Sequence, residues 1–323
     1  MELSYYVTDS IDPCENLALE ELLFSKLENE QVLLYLWQND NTVVIGRNQN
    51  AWRECRLDAF AAQKGNLVRR LTGGGAMYQD MGNQNFTFFA PNRLYDVVKQ
   101  TEVIRRAVAS FGIEAVRSGR NDILADGRKF SGNAYHQGTA ASFHHGTILV
   151  SSDLSRLSQF LAPSPEKLIS KGVTSVRSRV VNLCELNPKI TPNDVRAAVI
   201  RAFAEVYECE PKLLDSSIID TEKLAQVRAQ YADDNWRLGQ NSKFDFNFHK
   251  RFSFGELEFD FSVQNGLVTK AAVHSDALDA QWVIAMEENF SGKAFTKAEL
   301  AQSIPAGVDK DEVAAFFLTE FSV

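Results

Sequence analysis

The sequence predicts an α+β protein with a large N-terminal domain, built on a mixed β-sheet flanked by helices, and a small α+β C-terminal domain. The chain has 323 residues, of which 45% are hydrophobic, so it is long enough for two domains that each bury a core. Strand-like and helix-like segments alternate through the first 240 residues. The periodicity lapses near residues 236–242, and the chain then changes to a period of two. We therefore place the domains at residues 1–240 and 244–323.

Periodicity also predicts the elements of the first domain. Helices are expected at residues 13–27, 53–64, 96–111 and 191–207. Thr191 is a good N-cap residue and Pro192 suits the first helical position, so the fourth helix has the clearest start. Apolar runs between turn residues predict strands at residues 32–36, 42–46, 67–71, 85–89, 113–116, 122–125 and 146–150. The glycine run at residues 73–75 is expected to join the third and fourth of these strands.

The C-terminal domain is predicted to contain a β-hairpin followed by two helices. Asn265-Gly266 is a strong two-residue turn signal before a strand at residues 267–273. Helical patterns follow at residues 280–289 and 309–321. The strands that precede the turn are indicated by alternating aromatic residues, namely Phe244, Phe246, Phe248, Phe252, Phe254, Phe259 and Phe261.

The charge balance argues against nucleic acid as a partner. The formal net charge is -8, whereas binding to a phosphate backbone requires a basic surface. From residue 241 onward there are 13 Asp and Glu against 7 Lys and Arg, so most of the acidic excess lies in the C-terminal domain. No apolar run approaches the roughly 20 residues of a membrane span, and the N-terminus lacks a signal-peptide pattern. We expect a cytoplasmic monomer with neither nucleic acid nor membrane as a partner.

Cysteine and histidine spacing gives no support for a metal centre. Neither a zinc site nor a disulfide framework is predicted from the four cysteines, which are far apart and form no CxxC pair: Cys14, Cys55, Cys184 and Cys209. They are expected to be reduced. His144 and His145 are adjacent, so on a strand they point to opposite faces and do not form a metal pair.

A glycine-rich segment, Arg69-Arg70-Leu71-Thr72-Gly73-Gly74-Gly75-Ala76-Met77-Tyr78, indicates an anion-binding site. Glycine lets the backbone approach a ligand and adopt positive φ, so that successive N–H groups converge on phosphate oxygens. Neither P-loop spacing nor a G-x-G-x-x-G fingerprint is present, so the loop is of another kind. For the three glycines alone, a flexible turn with incidental arginines explains the pattern equally well.

Further segments give the pattern a family resemblance. Gly127-Arg128-Lys129-Phe130-Ser131-Gly132-Asn133-Ala134 sets one lysine among small residues. Together with the glycine-rich segment it resembles the motifs of lipoate-protein ligases, in their order and spacing. The resemblance extends over nearly the whole chain and includes a C-terminal accessory domain of the right size. Its other motifs are Ile45-Gly46-Arg47-Asn48-Gln49-Asn50, Asp80-Met81-Gly82-Asn83, Gly119-Arg120-Asn121-Asp122, His145-Gly146-Thr147 and Ser175-Val176-Arg177-Ser178-Arg179-Val180.

The resemblance implies a biotin/lipoate ligase-like fold and a two-step, ATP-dependent reaction. Lipoate and ATP give lipoyl-AMP and pyrophosphate, and a lysine of an acceptor protein then attacks the mixed anhydride to form an amide. The implied acceptors are lipoyl domains of 2-oxoacid dehydrogenase complexes and the glycine-cleavage H protein. Because a carboxylate must approach the negative α-phosphate, fixed cations and backbone N–H groups at the site remove an electrostatic barrier.

Lys129 is the catalytic residue that the resemblance implies. It would lie between the lipoyl carbonyl and the α-phosphate and stabilise the charge that develops in both steps. Arg70 matches an arginine that reaches the nucleotide phosphates, because a guanidinium holds two oxygens at once. Binding of ATP and lipoyl-AMP is assigned to Arg70 and Lys129 together with Gly75, Ala76, Met77, Tyr78, Asn121 and Asp122. Binding of lipoate is assigned to Gly74, Gly75, Lys129 and His145.

Several of these residues keep a second interpretation. Tyr78 lies against adenine or fills the core. Asp122 coordinates Mg²⁺ together with ATP phosphates, or holds a loop by accepting backbone hydrogen bonds. The pair His144 and His145 is expected to shape the floor of the pocket rather than to act as a general base. The missing side chains of the glycines at residues 74 and 75 are expected to leave an apolar channel for the lipoyl tail.

Two other functions compete with ligation. The first is an ATP-independent octanoyl or lipoyl transferase of the same fold. Relatives of that type work through a cysteine thioester placed after the lysine motif, but residues 134–152 contain no cysteine. Cys184 lies further along and is interpreted as a packed small hydrophobic residue. A non-catalytic sensor of lipoate or nucleotide would be expected to lose Lys129 or the arginines, and this chain keeps them.

Overall fold

The computed structural model describes residues 1–56, 60, 62–161, 179–239, 244–307 and 309–320. The chain forms two compact units. The first contains Met1–Val44, Cys55–Arg69 and Met77–Arg237, and the second contains Ile45–Glu54, Arg70–Ala76 and Leu238–Val323. Two short stretches of the N-terminal sequence, one of which carries the glycine run, therefore belong to the same unit as the C-terminal region.

An eight-stranded mixed sheet forms the centre of the first unit. The strands up to residue 213 are β1 (Glu2–Val7), β2 (Gln31–Trp37), β3 (Thr42–Ile45), β4 (Asn66–Arg69), β5 (Met77–Gln79), β6 (Asn83–Pro91), β7 (Ala115–Ser118), β8 (Asp122–Ala125), β9 (Arg128–Gln137), β10 (Ala141–Leu149) and β11 (Lys212–Leu213). The order in the large sheet is β11-β1-β2-β6-β10-β9-β8-β7, and a small sheet has the order β4-β3-β5. In the large sheet β1 runs parallel to β2 and β11, and the remaining pairs are antiparallel.

Helices pack on both faces of this sheet. The helices up to residue 238 are α1 (Pro13–Ser25), α2 (Ala51–Glu54), α3 (Val97–Ala109), α4 (Leu154–Phe160), α5 (Leu183–Leu186), α6 (Pro192–Tyr207), α7 (Thr221–Ala232) and α8 (Asp234–Leu238), with a 3-10 turn at Ser216–Ile218, and of these α2 belongs to the second unit. On one face, Val103 of α3 and Phe203 of α6 share a buried core with Phe86 and Phe88 of β6. On the other face, α1 places Phe24 against Phe89 of β6.

The described C-terminal part of the second unit contains a three-stranded antiparallel sheet and three helices. Its elements are β12 (Phe246–Arg251), β13 (Glu256–Gln264), β14 (Leu267–Ser275), α9 (Ala280–Phe290), α10 (Lys297–Gln302) and α11 (Lys310–Thr319). Asn265 and Gly266 have φ of 53° and 75°, the positive values that a two-residue hairpin turn needs. The stretch that carries α2 is held by Arg53, whose guanidinium lies 2.7 Å from Glu256 and 3.2 Å from Glu258.

The architecture confirms the predicted fold class, a mixed sheet with flanking helices and a small α+β C-terminal domain. The start of α6 is confirmed as well, because Thr191 and Asp194 form a capping box there. The prediction for the glycine run was wrong in one respect, since the run joins β4 to the short strand β5 and not to residues 85–89. Helices α4, α5, α7, α8 and α10 and strands β1, β5, β9 and β11 were not predicted.

Some predictions fall partly outside the described residues. The helix expected at residues 53–64 includes residues 57–59 and 61, and the helix expected at 309–321 ends in residue 321, which are not described. Within the described part of the chain no helix has the length and apolar character needed to cross a membrane. The domain boundaries at residues 240 and 244 remain a prediction.

Candidate active site

Lys129 lies near the start of β9, in an ion pair with a carboxylate of the neighbouring strand. Its Nζ is 2.7 Å from Oδ1 of Asp122, the first residue of β8. The two side chains are only 21% and 14% exposed, so solvent screens the pair weakly. The backbone of Lys129 is fixed on its other side, because its carbonyl accepts a hydrogen bond of 2.9 Å from the N–H of Val181.

Asp122 is shared between two cations. Its second carboxylate oxygen contacts the guanidinium of Arg179. Burial alone would raise the pKa of Asp122, but the charges and hydrogen bonds of Lys129 and Arg179 lower it below its usual value. Asp122 is therefore a carboxylate at neutral pH, and the cluster of these three residues carries one net positive charge.

Gly132 makes room for the ammonium group of Lys129. The pairing of β8 with β9 shifts register between Ile123 and Leu124, so Lys129 and Gly132 lie on the same face of the sheet. A Cβ added at Gly132 would stand 2.7 Å from Nζ and 2.8 Å from Cε of Lys129. The absence of a side chain at residue 132 is thus a condition for the observed position of Lys129.

His145 shares this face of the sheet with Lys129. It lies directly opposite Ala134 in the pairing of β10 with β9, and Thr147 places its Oγ1 3.4 Å from the backbone nitrogen of Gly132. His145 is buried, and its Nδ1 lies 2.9 Å from Oε1 of Glu20. The five residues of this lysine face are Lys129, Gly132, Ala134, His145 and Thr147.

Glu20 is a buried polar residue that the sequence reasoning missed. It is 2% exposed on α1, and its Oε1 also accepts a 2.6 Å hydrogen bond from the hydroxyl of Thr87. The indole of Trp37 in turn donates to Thr87 Oγ1 over 3.2 Å. The sequence feature that could have identified it is a single acidic residue on the leucine-rich buried side of α1.

His144 lies on the opposite face of β10 and takes no part in the lysine face. Its Nε2 is 2.8 Å from Oδ1 of Asn133, and its Nδ1 is 3.1 Å from Oε1 of Gln100. Complete burial lowers the pKa of His144 to about 3, so the imidazole is neutral at physiological pH. The predicted split of the two histidines is confirmed, since β10 contains both.

Asn121 is bound to the strand that carries Lys129. Its Nδ2 donates to the carbonyl of Asn133 over 3.0 Å, while the backbone N–H and the Nδ2 of Asn133 both donate to the carbonyl of Asn121, over 2.9 and 3.0 Å. In this structure Asn121 therefore fastens the turn before β8 onto β9. Contact of Asn121 with the nucleotide remains a prediction.

The two arginines before the glycines bind protein carbonyls. In the first unit, Arg69 donates from Nε to the carbonyl of Trp236 over 2.8 Å and from Nη2 to that of Arg237 over 3.0 Å. In the second unit, Arg70 is 4% exposed and donates to Thr72 Oγ1 over 3.0 Å. Its Nη2 also donates to the carbonyls of Gly73 and Gly75, over 2.7 and 3.0 Å. Arg70 thus fixes the shape of the glycine-rich loop, and its contact with phosphate remains a prediction.

Within the second unit, the glycines at residues 73 and 74 allow a close approach of the chain to itself. A Cβ at Gly73 would lie 2.3 Å from the carbonyl oxygen of Ala277. Gly74 has a φ of +92°, and its N–H donates to the same oxygen over 2.8 Å. Packing of the chain therefore accounts for glycine at these two positions. The channel for the lipoyl tail remains a prediction.

Tyr78 packs in an aromatic core of the first unit. It is 3% exposed, its ring centroid is 5.6 Å from that of Phe160, and its hydroxyl donates to Asn41 Oδ1 over 3.3 Å. Arg156 also contacts this hydroxyl, over 3.2 Å. The core interpretation describes Tyr78 in this structure, and contact with adenine remains a prediction, as it does for the half-buried Gly75, Ala76 and Met77.

The described residues contain no group of three or more His, Cys, Asp or Glu side chains placed to hold a metal ion. Asp122, the residue considered for Mg²⁺, has its two carboxylate oxygens on Lys129 and Arg179. In this structure both carboxylate oxygens of Asp122 therefore bind cationic side chains, and coordination of Mg²⁺ by Asp122 remains a prediction.

Comparison with known proteins agrees with the sequence motifs. Residues 12–204 match the family described as lipoyl protein ligase A/B catalytic domain, and residues 241–319 match the bacterial lipoate protein ligase C-terminus. Lipoate-protein ligase A of Bdellovibrio bacteriovorus is 37% identical over 301 residues, which cover 91% of this chain and 89% of that protein.

Two solved structures resemble this one over most of its length. The structure of Plasmodium falciparum LipL1 with lipoate is 28% identical with a TM-score of 0.87, and the match covers 98% of this chain and 99% of that one. The bipartite lipoate protein ligase of Thermoplasma acidophilum, studied with its E2 lipoyl domain, is 25% identical with a TM-score of 0.66 over 76% of this chain and 100% of that one. On the family matches and the Bdellovibrio relative, the chain belongs to the lipoate-protein ligase A family.

Proposed function

We propose that this protein is an ATP-dependent lipoate-protein ligase that forms lipoyl-AMP and then transfers the lipoyl group to a lysine of an acceptor protein. The observation that carries the proposal is Lys129, a weakly screened cation fixed beside Gly132 on the face that also holds His145. Family membership supports both the activity and its dependence on ATP. The substrates are lipoate and ATP.

Lys129 is the catalytic residue of this proposal. In the first step a lipoate carboxylate oxygen bonds to the α-phosphorus, and the bond from that phosphorus to pyrophosphate breaks. Two anionic groups approach each other, and an ammonium group in a site of low exposure lowers the energy of that encounter. In the second step the acceptor amine attacks the lipoyl carbonyl, AMP leaves, and Lys129 stabilises the negative charge that develops on the carbonyl oxygen.

The shared carboxylate lets Lys129 move toward substrate at low cost. When the Nζ of Lys129 turns from Asp122 to an anionic substrate, Arg179 remains on the second oxygen of Asp122. The partly buried carboxylate then keeps a cationic partner, which avoids the penalty of a buried unpaired charge. No step is routed through Mg²⁺; Asp122 is the residue that would hold it beside the ATP phosphates.

The remaining assignments complete the proposal. Arg70 and the loop that it shapes bind nucleotide phosphates, and His145 contacts the lipoyl group. Further contacts with nucleotide or lipoate are assigned to Gly74, Gly75, Ala76, Met77, Tyr78 and Asn121. We propose domain boundaries at residues 1–240 and 244–323, a monomeric protein, and a cytoplasmic location that suits its four unbridged cysteines.

The proposed acceptors are lipoyl domains of 2-oxoacid dehydrogenase complexes and the glycine-cleavage H protein. The Thermoplasma relative was studied together with an E2 lipoyl domain, which supports the first of these classes. The second class rests on the family resemblance.

Thioester chemistry has little support as an alternative. Residues 134–152 contain no cysteine. Burial, and then the charge of Glu185, raise the pKa of the Cys184 thiol, so it is a poor nucleophile. A sensor without catalysis would be expected to lose Lys129 or the arginines, and this chain keeps them.

A mobility-shift assay tests the proposed function. Purified lipoyl domain or H protein is incubated with the protein and free lipoate, with and without ATP, and lipoylation is confirmed by mass spectrometry. We expect modification of one acceptor lysine only when ATP is present. Transfer without ATP, or the absence of modification with every acceptor, would refute the proposal.

A further inference from the structure

A series of hydrogen-bonded, buried polar side chains crosses the first unit from helix α3 to the turn before β8. It runs from Gln100 of α3 through His144 of β10 to Asn133 of β9, and it ends at Asn121. Gln100 and His144 are fully buried, and Asn133 is 6% exposed. None of these residues lies on the lysine face, and the mechanism above gives His144 and Gln100 no role.

The contacts of Asn133 fix which nitrogen of His144 carries the proton. The Nδ2 of Asn133 donates to the carbonyl of Asn121 over 3.0 Å and to Ser131 Oγ over 3.4 Å. Its Oδ1 therefore faces His144, and a carbonyl oxygen only accepts. The Nε2 of His144, 2.8 Å away, must be the donor. Gly146 leaves room for this contact, because a Cβ there would be 2.6 Å from Asn133 Oδ1.

The other side of the ring fixes the orientation of Gln100. A neutral imidazole with its proton on Nε2 has a Nδ1 that only accepts, so the neighbouring amide group must be the NH₂ of Gln100. With the oxygen of Gln100 turned to His144, the Gln100 Nε2 lacks a hydrogen-bond partner within the described residues. The opposite orientation lets Nε2 donate to the Nδ1 of His144.

This series of hydrogen-bonded side chains ends next to the ion pair of Lys129. Asn121 directly precedes Asp122, and Asn133 lies on the same strand as Lys129. The ladder between β8 and β9 is interrupted between Ile123 and Leu124, so regular pairing alone does not set the position of Asp122 relative to Lys129. The reciprocal bonds between Asn121 and Asn133 hold the two strands together beyond the interruption.

We propose that His144, through Asn133 and Asn121, is a positioning residue that aligns Asp122 with Lys129 for adenylate formation. This inference rests on the catalytic role proposed for Lys129. A donor at Nε2 keeps the side chain of Asn133 turned toward Asn121. Without that donor the Asn133 amide is free to rotate, the turn before β8 loosens, and the Nζ of Lys129 loses its defined position.

Two variants separate positioning from packing. His144→Gln retains a donor near the place of Nε2, whereas His144→Phe fills the space without one. We expect His144→Phe to lower the single-turnover rate of lipoyl-AMP formation about tenfold or more, with KM for lipoate and ATP within about twofold of the wild type. His144→Gln should remain within about threefold of the wild-type rate. Equal rates for His144→Phe and the wild type, or equal losses in both variants, would overturn the inference.

A double-mutant comparison distinguishes positioning of Lys129 by His144 from a purely structural role of His144. In a Lys129→Ala background, His144→Phe should have no further effect on the residual rate, because the positioned group is absent. An additional tenfold loss there would count against the inference.

Nitrogen-15 NMR of the wild-type protein tests the hydrogen-bond assignment without any activity. The His144 ring, identified by its loss in His144→Gln, should show the Nε2–H tautomer at neutral pH. The Nδ1–H tautomer would overturn the inference even if both variants fold poorly. Failure of the wild type to form lipoyl-AMP would instead refute the proposed function and leave the NMR result standing.

Discussion

Acidification should destabilise the folded protein through His144, and the size of the effect follows from its burial. The imidazole is fully buried, and its pKa is lowered from 6.5 to about 3 in the folded state. Above about pH 6.5 the ring is neutral in both folded and unfolded chains, so it contributes no pH dependence. Below that value the unfolded chain takes up a proton that the folded protein does not accept. Stability is therefore lost progressively as the pH falls from about 6.5 toward 3.

The magnitude is large enough to measure. A shift of this size corresponds to about 5 kcal/mol once the pH is below both pKa values. Between pH 8 and pH 5 the loss attributable to this one group is roughly 2 kcal/mol. Other titrating groups contribute in the same interval, so the effect of His144 must be isolated by comparison with a variant.

The assay is urea unfolding of the wild type and of His144→Gln at pH 8 and pH 5, with His249→Gln as the matched control for loss of an exposed histidine. The variant is expected to be less stable than the wild type at pH 8, because a buried hydrogen-bond network is disturbed. At pH 5 this deficit should shrink by about 2 kcal/mol, since only the wild type loses stability through residue 144. The role given to His144 is wrong if the stability deficit of His144→Gln is the same at both pH values. It is also wrong if the stability of His249→Gln relative to the wild type changes by the same amount between pH 8 and pH 5.

Three further changes test other parts of the structure. Gly132→Ala places a Cβ 2.7 Å from the Nζ of Lys129. Because that atom ends a flexible side chain, we expect the rate of lipoyl-AMP formation to fall about tenfold with little change in melting temperature. An unchanged rate would show that Lys129 does not need this position. Thr191→Ala removes the cap of α6 and should cost about 1 kcal/mol in urea unfolding, whereas no loss would mean that the capping box is not formed. Cys184→Ser should retain full ATP-dependent lipoylation, and loss of transfer would revive a thioester mechanism.

Local signals in the sequence predicted the elements whose causes are local. The start of α6 follows from Thr191 and Pro192, and the hairpin of the second unit follows from Asn265 and Gly266, because capping and turn geometry involve only neighbouring residues. The motif around Lys129 was likewise visible, since its small residues are adjacent in the chain.

Contacts between distant residues could not be predicted in this way. Arg69 belongs to the segment that indicates an anion-binding site, but its hydrogen bonds go to carbonyls at residues 236 and 237. Gly73 belongs to the same segment, and a Cβ at this residue would collide with the backbone at Ala277. Which protein group satisfies an arginine or approaches a glycine depends on tertiary packing, about which composition and spacing carry no information.

Glu20 shows the same limit for a buried charge. Helical periodicity places it on the side of α1 that faces the sheet, among leucines, where an acidic residue is unusual. Its partners His145 and Thr87 come from two strands, β10 and β6. The sequence could therefore reveal an anomaly at Glu20 but not the hydrogen bonds that resolve it.

The catalytic role of Lys129 is tested most directly by the single-turnover formation of lipoyl-AMP from lipoate and ATP by the wild type, by Lys129→Ala and by the exposed-lysine control Lys189→Ala. If Lys129 provides the cation for the reaction, the rate for Lys129→Ala should fall at least about a hundredfold, and Lys189→Ala should match the wild type. A Lys129→Ala protein that forms lipoyl-AMP at the wild-type rate would contradict the account.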